Sequence, residues 1–274
     1  MACGLPLKAN DPLTAVSFSS PATGWTGPDG DCPRDRVSGS ATIGNQAGLD
    51  RRRPEKRTGE WSLVAVAGLS EVDVGIIGFV NGMGFAGYSH LVRKFPGQVS
   101  RRRLGRLCRQ GYLRYDRIFC KVEGIYRATA AGVKAAGHFL RPLSTVNLGK
   151  YWHDWRLVDL ALLLETTTGG VWVSERVLRR RLWAGGRRRE PLPDGLLTWP
   201  DREVAVELEL SPKAPWRREK ILRAYTRSAY DEVWYVTGPG RTEKGLEPAL
   251  AGLPFVRLAR WEGGNLLWIG SSSN

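Results

Sequence analysis

Asp194, Glu207, Glu209 and Lys213 have the residue types and spacing of a metal-assisted hydrolytic site. They lie in the stretch 193–213, PDGLLTWPDREVAVELELSPK. A Pro-Asp-Gly turn opens it, an apolar strand follows over 196–199, and Pro200-Asp201 turns the chain into a second strand over 203–210, which together make a hairpin signature. A period of two places Val204, Val206, Leu208 and Leu210 on one face, and Ala205, Glu207, Glu209 and Ser211 on the other. Like charges two positions apart on a half-buried face repel unless a cation or basic groups neutralise them. A magnesium or manganese ion held by Asp194, Glu207 and Glu209 would polarise a phosphoryl oxygen and lower the pKa of a bound water, and Lys213 would stabilise the developing charge. The other reading of the same residues needs no metal: Asp194 is an ordinary turn residue before Gly195, and the two glutamates pair with the arginines that follow.

The elements that must position this hairpin run from residue 149 onward. KYWHDWRLVDLALLLETTTGG reads as an amphipathic helix to about Glu165, with Leu157, Leu160, Ala161 and Leu164 as its buried stripe and Gly169-Gly170 as its end. A short strand over 171–173 leads to Ser174, which caps a basic helix, ERVLRRRLW. After the hairpin come a basic helix over 212–229, an apolar strand over 232–237, a helix over 241–251 and a strand over 255–261. This order predicts an α/β domain with a mixed sheet over 149–274. Glu165 and Glu175 are further carboxylates here, best explained by capping and surface pairing. His153 reads as a packed or capping residue and Tyr225 as core, while Trp183, Trp199 and Trp216 either stack on unpaired bases or fill the interior.

Upstream, residues 60–137 show another pattern. Ser70 caps a first helix to about Phe85 and a second runs over 88–95. A third, QVSRRRLGRLCRQ over 98–110, carries Arg101, Arg102, Arg103, Arg106 and Arg109 around a stripe of Val99, Leu104, Leu107 and Cys108. Gly111 stops it. Strands over 112–119 and 121–128 then bring Arg114 and Lys121 into a hairpin, and Thr129 starts a small helix to Ala136. Helix, helix, basic helix, hairpin is the order of a winged helix-turn-helix, in which the third helix enters the major groove and the hairpin reaches the backbone or minor groove. Such a module serves DNA binding or, alternatively, protein docking; five arginines on one helix favour DNA. Residues 138–148 read as a linker and 1–59 as a disordered tail, with the basic run RRRPEKR at 51–57 at its end.

Composition agrees. Of 274 residues, 41 are Lys or Arg against 27 Asp or Glu, a net charge of +14 that suits a polyanionic partner. No apolar run is long enough for a membrane span, and the start MACGLPLKANDP lacks a basic region followed by an apolar run. Cys3, Cys32, Cys108 and Cys120 form no Cys-x-x-Cys pair, and His90, His138 and His153 complete no zinc pattern with them, so a reduced, cytoplasmic setting is expected. A winged helix is compatible with a homodimer, although no heptad seam requires one.

The spaced PD, ExE and K residues resemble the PD-(D/E)XK nuclease superfamily. Over about 61–261, the winged helix followed by YWHDWRLVDLALLLE, WVSERVLRRRL, PDGLL, VAVELELS and VWYVTG is similar to the replication-relaxation family of plasmids and integrative elements. This resemblance implies a DNA-binding accessory protein with a restriction-endonuclease-like C-terminal domain. By position, Asp194 matches the PD aspartate and Glu207 the strand acid, whereas Glu209 stands where lysine is usual and Lys213 or Lys220 would replace it from the helix. Two activities follow from the resemblance: a magnesium-dependent DNA endonuclease delivered by its winged helix, or a non-catalytic regulator of replication or transcription. A weaker alternative is a docking subunit among plasmid replication or transfer proteins.

Overall fold

The computed structural model describes residues 68–184, 191–211, 213–238, 246, 250 and 253–269. The tail 1–59, the arginines 187–189, Pro212 and nearly all of the helix expected over 241–251 lie outside the described residues, as does the side chain of Trp183.

The first half builds as its turn chemistry directs. Helix α1 (Glu71–Met83) starts at a reciprocal cap: the Ser70 side chain accepts from the Asp73 amide, and Asp73 accepts from the Ser70 amide. A short strand β1 (Ala86–Gly87) leads to α2 (Tyr88–Lys94), then α3 (Arg101–Arg109), which starts three residues later than the periodicity suggests because Ser100 is its N-cap. Strands β2 (Leu113–Asp116) and β3 (Ile125–Ala128) form an antiparallel hairpin, with β1 on the other side of β3. Helix α4 (Ala130–Ala135) closes the module, capped by Thr129. Ile76, Ile77, Val80, Leu91, Leu104, Leu107 and Tyr126 share one core. This is the winged-helix arrangement.

The wing is shorter than expected. Pairing stops at Asp116 opposite Ile125, and the residues between them make contacts outside the sheet. Glu123 accepts from the amide and hydroxyl of Ser89, and Phe119 stacks on Trp152 in the second half of the chain with ring planes 10° apart.

The second half begins at α5 (Tyr151–Thr168), preceded by one 3-10 turn and ended by Gly169 in the left-handed region. Then follow β4 (Val171–Ser174), α6 (Glu175–Ala184), β5 (Gly195–Thr198), β6 (Glu203–Glu209), α7 (Pro215–Tyr225), β7 (Glu232–Thr237), β8 (Val256–Glu262) and β9 (Asn265–Ile269). The described strands form a sheet in the order β4-β5-β6-β7-β8-β9, with β6, β7 and β8 parallel and the remaining pairs antiparallel. A mixed α/β sheet is therefore present. Strand β9 is an addition to the expected order; its signal was Gly263-Gly264, both at positive φ, the two-residue turn of a hairpin. Helix α7 is shorter than expected because Pro215 supplies its first turn. Ser174 differs as well: its hydroxyl donates to the Gly82 carbonyl at 2.6 Å and so ties the end of β4 to α1.

Alternation decides the layers. Val204, Val206 and Leu208 of β6 pack with Leu157, Leu160 and Leu164 of α5, while Ala205 faces Leu178 of α6 and Tyr225 of α7. Helix α5 also meets the winged helix. Arg93 pairs with Asp159, His90 Nε2 lies 3.2 Å from the same carboxylate, and Lys94 Nζ reaches Glu165 at 2.7 Å. The expected linker is pinned as well: Arg127 donates to the carbonyls of Leu143 and Ser144, and Asn81 donates to that of Leu140. Among the described residues no helix is long and apolar enough to cross a membrane.

Asp73 is 1% exposed and joins the α1 cap to Arg106 at 2.7 Å. Asp73→Ala is expected to cost about 2–4 kcal/mol, since it removes a cap and strips a half-buried arginine of its partner. Urea denaturation checks this, and a loss below about 0.5 kcal/mol, the level of an ordinary surface change, would refute it.

Candidate functional site

The antiparallel register pairs Gly195 with Val206, so Asp194, one residue before β5, comes to lie beside Glu207. Gly195 is required there because Trp172 covers it: a Cβ would fall 1.9 Å from the indole. Asp194 Oδ2 accepts from the Leu208 amide at 2.9 Å, which fixes the carboxylate against β6. Both acids border a cavity of about 800 Å³ that is also lined by His153, Glu209, Lys213 and Lys220.

His153, in the first turn of α5, belongs to this site rather than to mere packing. Its Nε2 lies 3.3 Å from Asp194 Oδ2 and 3.2 Å from the Leu208 carbonyl, and its Nδ1 lies 3.3 Å from Asp154. Burial works against the charged ring, but the hydrogen bonds and charges of Asp154 and Asp194 prevail and raise its pKa to about 10. Protonated, it donates from both nitrogens. Asp194 is correspondingly held below the usual carboxylate range, with burial opposing and His153, the Leu208 amide and Lys213 prevailing.

Glu207 behaves in the opposite way. It is 7% exposed, and burial together with the Asp194 charge pushes its carboxyl up to about 7, despite a 2.5 Å hydrogen bond from Tyr225 and the charges of Lys213 and His153. Tyr225 in turn holds its phenol proton far more tightly than a free tyrosine, through burial and through Glu207.

Glu209 borders the cavity, but its oxygens serve the protein. Oε2 accepts from Tyr235, Oε1 accepts from the Lys213 amide at 3.0 Å and from Arg218 at 3.3 Å, and Lys213 Nζ stands 3.8 Å away. The metal-free pairing open from sequence is thus realised at Glu209. Among the described residues, no group of three or more His, Cys, Asp and Glu is arranged to hold an ion. Among the described residues, the second oxygen of Asp194 and of Glu207 has no hydrogen-bond partner. Two carboxylates with the rest of the shell left to water and phosphate are a donor set that magnesium accepts, so these two residues fit such an ion. Glu165 and Glu175 lie elsewhere, paired with Lys94 and with Arg179 and Lys150.

On the winged helix, Arg106 and Arg103 are drawn toward Asp73, at 2.7 and 3.7 Å, so the exposed face of α3 carries Arg101, Arg102 and Arg109. Arg101 lies over the Tyr88 ring at 4.4 Å. Arg114 pairs with Asp116 at 2.7 Å, and Lys121 is exposed, as is Arg117, which sequence reasoning passed over.

Sequence reasoning assigned His153 to packing or capping and Tyr225 to the core, counted Arg218 among the arginines open to pairing with the glutamates, and missed Tyr235. Arg218, Leu222 and Tyr225 share the buried face of α7 at helical spacing, and that is the one signal that pointed inward. The chain matches no family model, and no curated protein matches it.

Because Glu207 binds its proton more tightly when folded than when unfolded, its contribution is favourable below about pH 4.5 and is lost as pH rises through about 7. Glu207→Gln is therefore expected to gain stability over the parent as pH rises from 5 to 8, by up to about 3 kcal/mol. Denaturant melts at both pH values check this; a difference that does not change with pH would show that folding does not raise the proton affinity of Glu207.

Proposed function

We propose that the chain is a DNA-binding protein of a plasmid or integrative element whose second domain cuts or nicks DNA at the Asp194–Glu207 cavity. One observation carries the reading: two carboxylates, one just before β5 and one on β6, meet beside Lys213 in a basic protein, with one oxygen of each unpartnered among the described residues. Asp194 and Glu207 would hold a magnesium or manganese ion, which supplies Lewis acidity toward a phosphoryl oxygen and an acidified water. His153 keeps Asp194 ionised and oriented. Glu207, reluctant to ionise without the cation, would give up its proton to the ion's charge and serve as the second carboxylate ligand. Lys213 brings positive charge to the phosphate. The winged helix supplies the grip, through Arg101, Arg102 and Arg109 on α3 and through the basic wing.

A second reading is favoured by Glu209. It stands where nucleases of the resembled superfamily place lysine, and it is locked to Tyr235 and Arg218. On that reading the domain is a docking platform of a non-catalytic replication-relaxation or transcription regulator.

Two measurements separate them. Duplex affinity is expected to fall with salt at a log–log slope of about −0.9 per phosphate contact, and to weaken when Arg101, Arg102 and Arg109 become Ala; a flat dependence would remove DNA binding altogether. Supercoiled plasmid with magnesium or manganese is expected to be nicked, with Asp194→Ala and Glu207→Ala each lowering the rate roughly 100-fold or more. Nicking that survives both substitutions would place the chemistry elsewhere. Salt-dependent binding without nicking would select the regulator.

A further inference from the structure

Two large indoles stand at the cavity where a folded chain would be expected to cover them. Trp216, in the first turn of α7, is 68% exposed, and Trp152, in the first turn of α5, is 50% exposed; both line the same cavity as Asp194 and Glu207. Exposed aromatic surface of this size that belongs to a pocket marks a binding site more often than a packing defect. Its surroundings state the chemistry of the guest. Arg217 and Lys220 also line the cavity, both are exposed, and neither has an acidic partner among the described residues. Lys150 joins them at the edge, within 3.7–3.8 Å of Asp154 and Glu175.

A guest that satisfies flat apolar rings and unpaired cations together has a π face and a negative charge. A nucleotide has both. In a duplex, each base already has its faces stacked on its neighbours and cannot offer one to an indole; an unpaired base can. We propose that the cavity receives an unpaired nucleotide, its base against Trp216 and Trp152 and its backbone against Arg217 and Lys220, so that the substrate of the second domain is single-stranded or locally opened DNA. The inference rests on the proposed function and narrows its substrate. Trp152 also ties the pocket to the winged helix, since Phe119 at the wing tip stacks on it with centroids 5.6 Å apart. A duplex held by α3 and the wing would therefore enter the second domain beside a ring that can hold a base once it is unpaired.

The test uses the full chain in buffer with EDTA, which stops cleavage, and compares a fluorescent oligothymidylate with a mixed-sequence duplex of equal length by anisotropy. Trp216→Ala is expected to weaken oligothymidylate binding roughly 5- to 100-fold, the effect of losing one stacked base, while duplex affinity changes little. Trp216→Phe, which keeps a π face, is expected to recover most of the loss. In the converse experiment, alanine at Arg101, Arg102 and Arg109 lowers duplex affinity and spares the oligothymidylate. Unchanged oligothymidylate affinity in Trp216→Ala overturns the inference, as does a parent chain that binds duplex with the expected salt dependence but does not bind oligothymidylate. Failure to bind either DNA overturns the proposed function along with it.

Discussion

Two carboxylates held side by side in a half-buried pocket repel, and the fold around Asp194 and Glu207 is built to tolerate that repulsion. The register of β5 on β6 makes their approach unavoidable once the hairpin forms. The protein answers it unequally. Asp194 receives an amide and an imidazolium, and stays ionised; Glu207 receives one phenol and is left reluctant to ionise. Two adjacent acids thus differ in proton affinity because their surroundings differ, one held as a fixed charge and the other reluctant to ionise.

Glu209 shows how the remaining negative charge is kept from adding to the repulsion. It is 1% exposed, and its carboxylate is spent on Tyr235 of β7, on Arg218 of α7 and on the backbone of Lys213. These contacts anchor the start of α7 to the sheet. They also fix the position of Lys213, which therefore bears on both Asp194 and Glu207. A buried acid that is fully paired contributes positional definition more than net stability, because desolvation offsets most of its attraction.

Helix α5 connects the two halves. Its middle carries Asp159, which meets His90 and Arg93 of the winged helix, and its first turn carries Trp152 and His153, one against the wing tip and one against Asp194. The link from Ser174 to Gly82 and that from Arg176 to the Asn81 carbonyl add a second seam on α1. The same helix therefore bears on the winged helix and on the cavity.

Local chemistry in the sequence determined most of the elements. Ser70, Ser100 and Thr129 cap helices, Gly111 and Gly169 end them, and the alternation over 203–209 put both glutamates on one face with the valines opposite. Those features are legible because each depends on residues only a few positions apart. The extent of the wing, the placement of His153 and the partners of Glu209 were decided by tertiary structure, since they join residues separated by tens of positions and depend on how α5, α7 and β7 pack around the hairpin. Sequence could name the acids. Only the folded chain could distribute the compensating cations among them, because a carboxylate's proton affinity is set by what surrounds it in space.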